Sequence, residues 1–253
     1  MAAPHPQRSP VRRALEIQSL FPVALAQVQM QPDPLDVALQ MQAIRALQGG
    51  AGSNPDSGCA WTGDLNGVWQ LHRHPLFQPL LAELLGHAWS YLEDLGFASS
   101  RLALHLQRCW PVVSEYGQVV GRHHHPNAHL SGVYYFNGDG SGRSGCLRFF
   151  PLRSANELVP GLAAGHGGPI QAGSEAADRW NAPWFDIAPR AGLLLLFPAS
   201  LDHAVLENED ADDSRYSLSF DLALSAPPAS VGEPPEYLAP HPADWQPVPR
   251  PGS

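Results

Sequence analysis

Two periods divide the chain. Between residues 33 and 96 apolar positions recur at helical spacing, first as Leu35, Ala38, Leu39, Ile44 and Leu47, then as Phe77, Leu80, Leu81, Leu84, Leu85, Ala88 and Leu92. From Arg101 the period becomes two, with Leu102, Leu104 and Leu106 alternating with Ala103, His105 and Gln107. The first pattern predicts helices that pack on a sheet, and the second predicts the sheet.

Capping signals set the helix boundaries. Asp33 caps the first helix, Pro34 suits its first turn and Gly49-Gly50 stops it. The second runs from about Pro75 to Leu95, with Pro79 delaying its regular part and Gly96 ending it. His72, His74 and His87 lie here without a metal-site context and read as surface or locally bonded residues. Upstream, residues 16–30 are apolar and β-permissive, and Pro22 restricts them to an edge strand or two short pieces.

Strands are predicted at 101–109, 117–125, 130–137, 145–150, 184–188, 192–197, 203–207 and 215–224. Many short strands with no intervening helices predict a mainly β protein, an antiparallel sandwich or jelly roll, with supporting N-terminal helices. Residues 152–183 form the one long irregular insertion, of the kind that is usually functional or mobile. The expected organisation is a disordered 1–13, a single domain over 14–224 (helical support 33–96, β core 101–224) and a proline-rich tail over 225–253. Tyr237 and Trp245 are the tail's candidate anchors.

Composition narrows the function. A net charge of −9 argues against nucleic-acid or anionic-membrane partners. All 15 basic residues are arginine, which removes Schiff-base lysine chemistry and a Walker-type phosphate loop. An anionic small molecule would have to be held by the planar fork of an arginine. Cys59, Cys109 and Cys146 are odd in number and widely spaced, so neither a disulfide framework nor a Cys-x-x-Cys zinc site is expected. With no apolar signal core and no run approaching ~20 apolar residues, the default is a soluble cytoplasmic protein.

Candidate chemistry gathers in Arg122-His-His-His-Pro126. Side chains two apart in a strand share a face, so His123 and His125 look the same way and supply two imidazole ligands for a transition metal. A register that uses His124 would need a one-residue bulge. His129 follows Pro126 and is not on a continuing face, which leaves it a substrate-side or supporting role. Downstream, Asp202-His203 opens a strand, and only one of these two neighbours can face a metal. Farther on, Arg215, Ser217 and Ser219 share one strand face, where a buried cation demands a partner and an anionic ligand is one candidate. Gly140-Ser-Gly-Arg-Ser-Gly145 matches the dinucleotide fingerprint letter for letter, but Cys146-Leu-Arg-Phe-Phe150 reads as a strand where that motif needs a helix, so it predicts a hairpin turn.

The order His-x-His, distant His, Arg-x-Ser is far more specific than its parts. Here the sequence resembles the Fe(II)- and 2-oxoglutarate-dependent oxygenases. The match is best with the oxygenase family whose members carry His-x-His-Pro, Ser-Gly-Val-Tyr-Tyr, a Gly-x-x-x-x-Phe-Pro strand and Arg-x-Ser-x-Ser-Phe, which this chain matches with His123-His-His-Pro126, Ser131-Gly-Val-Tyr-Tyr135, Gly192-Leu-Leu-Leu-Leu-Phe-Pro198, His203 and Arg215-Tyr-Ser-Leu-Ser-Phe220. The resemblance spans roughly Trp110 to Leu222. It implies a double-stranded β-helix, with Fe(II), 2-oxoglutarate as co-substrate and O₂. His123 and His203 become iron ligands, and Arg215 with Ser217 holds the distal carboxylate of 2-oxoglutarate. His125 stands where most of the superfamily has a carboxylate, which adds one positive charge to the site.

The implied activity is hydroxylation of an unactivated C–H in a small molecule or peptide residue, with His123, His125, His203 and Arg215 catalytic and Tyr135 beside the co-substrate. Tyr135, Arg148 and the 152–183 insertion are candidate substrate-facing positions, and a homodimer is allowed for. Two rival readings are a cupin-like three-histidine metalloenzyme that uses no oxo-acid and a non-catalytic metal- or sugar-binding jelly roll.

Overall fold

The computed structural model describes residues 18, 22–54, 56–152, 173–228 and 238–248. In chain order the elements are β1 (Ala26–Gln29), α1 (Pro34–Gly50), β2 (Trp61–Thr62), α2 (Gln78–Asp94), β3 (Ala103–Ser114), β4 (Val120–His123), β5 (Leu130–Tyr135), β6 (Leu147–Phe149), α3 (Glu175–Trp180), β7 (Phe185–Ile187), β8 (Leu193–Pro198), β9 (His203–Val205) and β10 (Arg215–Ser225). The strands pair antiparallel in a six-stranded sheet, ordered β1-β8-β5-β10-β3-β2, and a four-stranded sheet, ordered β4-β9-β6-β7. This is the jelly-roll architecture that the many short strands predict.

Local chemistry explains the helices. The Asp33 side chain accepts from the Leu35 amide at 2.7 Å, and Pro34 opens α1. A single turn over Pro75–Phe77 precedes α2, so regular helix starts where Pro79 permits it. Pro22 and the Pro32–Pro34 pair confine β1 to four residues at a sheet edge.

The large sheet has two unlike faces. On one, Leu194 and Leu196 of β8, Tyr134 of β5, and Tyr216, Leu218, Phe220 and Leu222 of β10 pack with Ile44 of α1 and Leu80, Leu81, Leu84 and Ala88 of α2. On the other, Val133, Tyr135, Leu193, Leu195 and Phe197 meet Leu147, Phe149 and Ile187 of the small sheet. Gly132 lies opposite Phe220 across the β5–β10 pair, and a Cβ there would sit 2.1 Å from the Phe220 ring, so only glycine lets that ring lie flat on the sheet.

β3 departs from the simple alternation expected of it. Leu104 and Leu106 pack toward the helices, and so do Cys109 and Val113, an even-to-odd change of phase. The β3–β10 register shifts between Asp221 and Leu222, with Arg108 opposite Asp221 and Leu106 opposite Leu222. Gln107 is the extra residue of a β-bulge, which turns Arg108, Trp110 and Val112 to the inner face.

Several expectations fall on residues that are not described. Residues 1–13 lie there, as do Tyr237 and residues 153–172 of the insertion; the described part of the insertion contains α3. Of the tail, the Ala226 amide donates to the Ala239 carbonyl at 2.8 Å and His241 packs edge-on to His105. The half-exposed Trp245 donates its indole N–H to the Pro240 carbonyl within its own segment. Among the described residues no helix is long and apolar enough to cross a membrane.

Candidate metal centre

β4 and β9 pair so that His123 lies directly opposite His203. β4 ends at His123, two residues short of the predicted 125, and the His125 amide leaves the ladder to donate to the Ala199 carbonyl at 2.9 Å. That bond holds the turn so that His125 still points inward. The ring centroids lie 4.3 Å (123–203), 5.1 Å (125–203) and 5.2 Å (123–125) apart, and one nitrogen of each lies within 4.8 Å of the others.

Their tautomers are set from behind. His123 Nδ1 bonds the Gly121 carbonyl at 2.8 Å and His203 Nδ1 the Leu201 carbonyl at 2.9 Å, so each Nδ1 must carry the proton. His125 Nδ1 faces the Asp221 carboxylate at 2.5 Å, and Ser131 Oγ lies 3.0 Å from the same nitrogen. Each Nε2 lone pair is thereby free to converge with the others. Burial pushes the His203 imidazole down to about 3, with the His123 and His125 neighbours adding to it, and burial lowers His123 too. Convergent imidazoles, two of them buried and each turning one ring nitrogen toward the others, are the donor set a divalent transition metal needs, so the residues present fit an iron ion.

His124 does not join them. Its ring is half-exposed and bonds Asp202 at 3.1 Å, which also receives Arg122 at 2.7 Å. Asp202 therefore faces away from the cluster and His203 toward it, as neighbours in a strand must. His129 is likewise engaged elsewhere, its Nδ1 accepting from the Leu224 amide at 3.1 Å.

A pocket opens from the three imidazoles toward β10, lined also by Tyr135, Arg215, Ser217 and Ser219. Arg215 is 1% exposed and donates through Nη1 to the Ser144 and Gly145 carbonyls at 2.9 and 2.8 Å. Its Nε has no partner, and no carboxylate pairs with it among the described residues. Burial lowers the Arg215 pKa without approaching neutrality, because a guanidinium stays protonated in a protein. Burial also raises the Tyr135 phenol to about 12, so Tyr135 remains a neutral hydrogen-bonding group in the pocket.

The glycine-rich 140–145 segment supports this cation. Gly140, Gly142 and Gly145 all have positive φ, and a Cβ on Gly145 would lie 2.2 Å from the Leu206 carbonyl and 2.9 Å from Arg215 Nη1. The segment turns into β6, not into a helix, and its last carbonyls face Arg215. Arg148 lies outside the pocket lining: Leu147 and Phe149 point inward, while Arg148 points outward to grip Asp186 through two 2.7 Å bonds and cover Trp184.

Residues 108–221 match the model of the family described as "Putative 2OG-Fe(II) oxygenase". This stretch is a 2OG-Fe(II) oxygenase domain. Solved structures share its fold. The alpha ketoglutarate dependent epimerase SnoN of nogalamycin biosynthesis is 16% identical, with 88% of this chain and 92% of that one covered at a TM-score of 0.55. The carbocyclase SnoK of the same biosynthesis is 14% identical over 81% and 82% at 0.54. A Pseudomonas putida prolyl-4-hydroxylase is 18% identical over 79% and 92% at 0.50. No curated protein matches the chain.

Two residues behind the site carry no assigned role on sequence grounds: Ser131, present only within the Ser131–Tyr135 stretch of the resemblance, and Asp221. A signal for Asp221 was present: extending the alternation Arg215, Ser217, Ser219 by two more residues reaches it.

Proposed function

We propose that this 2-oxoglutarate-dependent dioxygenase hydroxylates an unactivated C–H bond of a small molecule or peptide residue, with His123, His125 and His203 as iron ligands and Arg215 as the co-substrate clamp. One observation carries the reading: three convergent imidazoles and a buried guanidinium, with no carboxylate paired to it among the described residues, line one pocket. Burying a cation without a counter-charge costs several kcal/mol on the order of the ion's own desolvation. A dicarboxylate that reaches from the metal to Arg215 removes that cost.

The division of labour follows. Arg215 pairs the far carboxylate, Ser217 donates a hydroxyl from the same strand face, and the Ser144 and Gly145 carbonyls keep the guanidinium aimed. Tyr135 and the apolar lining of Val112, Val120, Val133 and Leu147 exclude water around the co-substrate. The three Nδ1–H bonds hold the imidazoles facing inward. Bound Fe(II) with 2-oxoglutarate supplies O₂ activation and C–H oxidation, with succinate and CO₂ released. The free state of all three cysteines supports the cytoplasm as the place of action, since thiols stay reduced there. The named relatives include an epimerase, a carbocyclase and a hydroxylase, so the fold admits several outcomes; hydroxylation is the one proposed here.

The test is succinate formation from 2-oxoglutarate after anaerobic reconstitution with Fe(II), started by admitting O₂. His203→Ala and Arg215→Ala should each abolish it. Unchanged turnover in either variant sinks these roles, and failure of 2-oxoglutarate to raise the melting temperature of the metal-loaded protein would instead favour a three-histidine enzyme that uses no oxo-acid.

A further inference from the structure

The carboxylate that a conventional two-histidine, one-carboxylate site places on the metal is present in this molecule one hydrogen bond farther out. Asp221 is 1% exposed on the inner face of β10, with Oδ1 2.5 Å from His125 Nδ1 and 2.8 Å from Ser131 Oγ. Its other oxygen takes Arg108 Nε at 2.7 Å. Arg108 in turn gives Nη1 to Asp64 at 3.0 Å and lies over the Trp110 indole, 4.5 Å from its centroid. Counted as a cluster, Arg108 contributes one positive charge and Asp64 and Asp221 one negative charge each, leaving a net −1 behind His125. Three imidazoles alone lack that charge.

Two independent features of the fold build this arrangement. The bulge at Gln107 turns Arg108 from the helix-packed face to the pocket face, opposite Asp221. The antiparallel register of β5 on β10 puts Ser131 opposite Asp221. Without the bulge, Arg108 would point into the apolar layer under α2. Hydrogen bonds from all three partners outweigh the burial that would raise the Asp221 carboxyl, and they hold it below its ordinary range.

We infer that Asp221 is the positioning residue that supplies, through His125, the negative charge missing from the metal's own ligands, with Ser131 fixing its angle and Arg108 tuning its strength. The inference rests on the three-histidine reading of the centre. A carboxylate behind a histidine orients the ring and makes its Nε2 a stronger donor. It also stabilises the ferric over the ferrous state by charge, and a neighbouring cation does the reverse.

The experiment uses the full chain with Co(II) for affinity and iron for potential. Wild type should bind one Co(II), and His203→Ala should lose it; wild type that binds no Co(II), or His203→Ala that binds it equally well, overturns the three-histidine reading itself. Given that binding, Asp221→Asn, which keeps an oxygen beside His125 but removes its charge, should weaken Co(II) by ~10–100-fold. It should also raise the Fe(III)/Fe(II) potential by about 59 mV for each tenfold that ferric binding weakens beyond ferrous. Arg108→Gln should move the potential the opposite way. Opposite signs at two neighbouring residues are what an electrostatic role produces and a packing role does not. Should Asp221→Asn fail to fold, Arg108→Gln and Ser131→Ala carry the test, the first lowering the potential and the second weakening Co(II). Potentials within error of wild type in the folded variants, or shifts of one sign in both charge variants, overturn the inference.

Discussion

β10 presents two chemically opposite faces only a side chain apart. Tyr216, Leu218, Phe220 and Leu222 enter the layer beneath α1 and α2, while Arg215, Ser217, Ser219 and Asp221 line or support the pocket. All eight are buried. The first face holds the fold together by excluding water from apolar area; the second keeps polar groups dry at a cost that only its ligands and partners offset. Burial alone therefore says nothing about which residues stabilise the chain.

The largest effect expected from this contrast is on the apolar face. Phe220→Ala should cost ~3–5 kcal/mol of stability, partly through the void left over Gly132, while leaving the Co(II) affinity of the folded fraction unchanged. Urea unfolding beside a metal titration checks both halves, and a changed affinity in folded protein would break the separation of the faces.

On the polar face the signs should reverse. Arg215→Met removes a charge-assisted clamp worth ~1.5–3 kcal/mol, or roughly 10–150-fold in 2-oxoglutarate affinity. The melting temperature of the metal-free protein should hold or rise, because a buried cation with no carboxylate partner among the described residues has been replaced by an apolar chain. A fall of several degrees would show Arg215 to be structural.

The smallest effect, counted per pH unit, is with pH. His203 is held down to about 3 in the folded protein, against 6.5 unfolded, and His123 is lowered as well. Below pH 6.5 the unfolded chain takes up protons that the native state refuses. Stability of the metal-free protein should therefore decline as pH falls from 6.5 toward 3, by up to about 1.4 kcal/mol per pH unit for His203. Measured between pH 7 and 5, this slope should shrink in His203→Gln and on the apolar face should be untouched by Phe220→Ala.

Much of this was legible from local signals. Capping and stripe residues place α1 and α2 to within a residue or two, and each of the eight strands proposed from alternation has its counterpart. His123, His125, His203 and Arg215 do come together around one pocket. Arg148 could not be placed the same way, since alternation fixes two faces without saying which one looks inward; its neighbours Leu147 and Phe149 decide that. The fingerprint-like glycines were readable as a turn from the strand that follows, but not as the support of Arg215, which is 70 residues away.

By itself the sequence determined the elements, the sharing of faces within each strand and the types of donor available, because these depend on residues a few positions apart. Tertiary structure decided the phase of β3, the turn that brings His125 inward beyond the end of β4, and the meeting of Asp221 with His125, Ser131 and Arg108. Those contacts join residues 6 to 113 positions apart. A single bulged residue reverses the face of every side chain beyond it, and nothing in a local pattern of polarity marks where a strand will take one in.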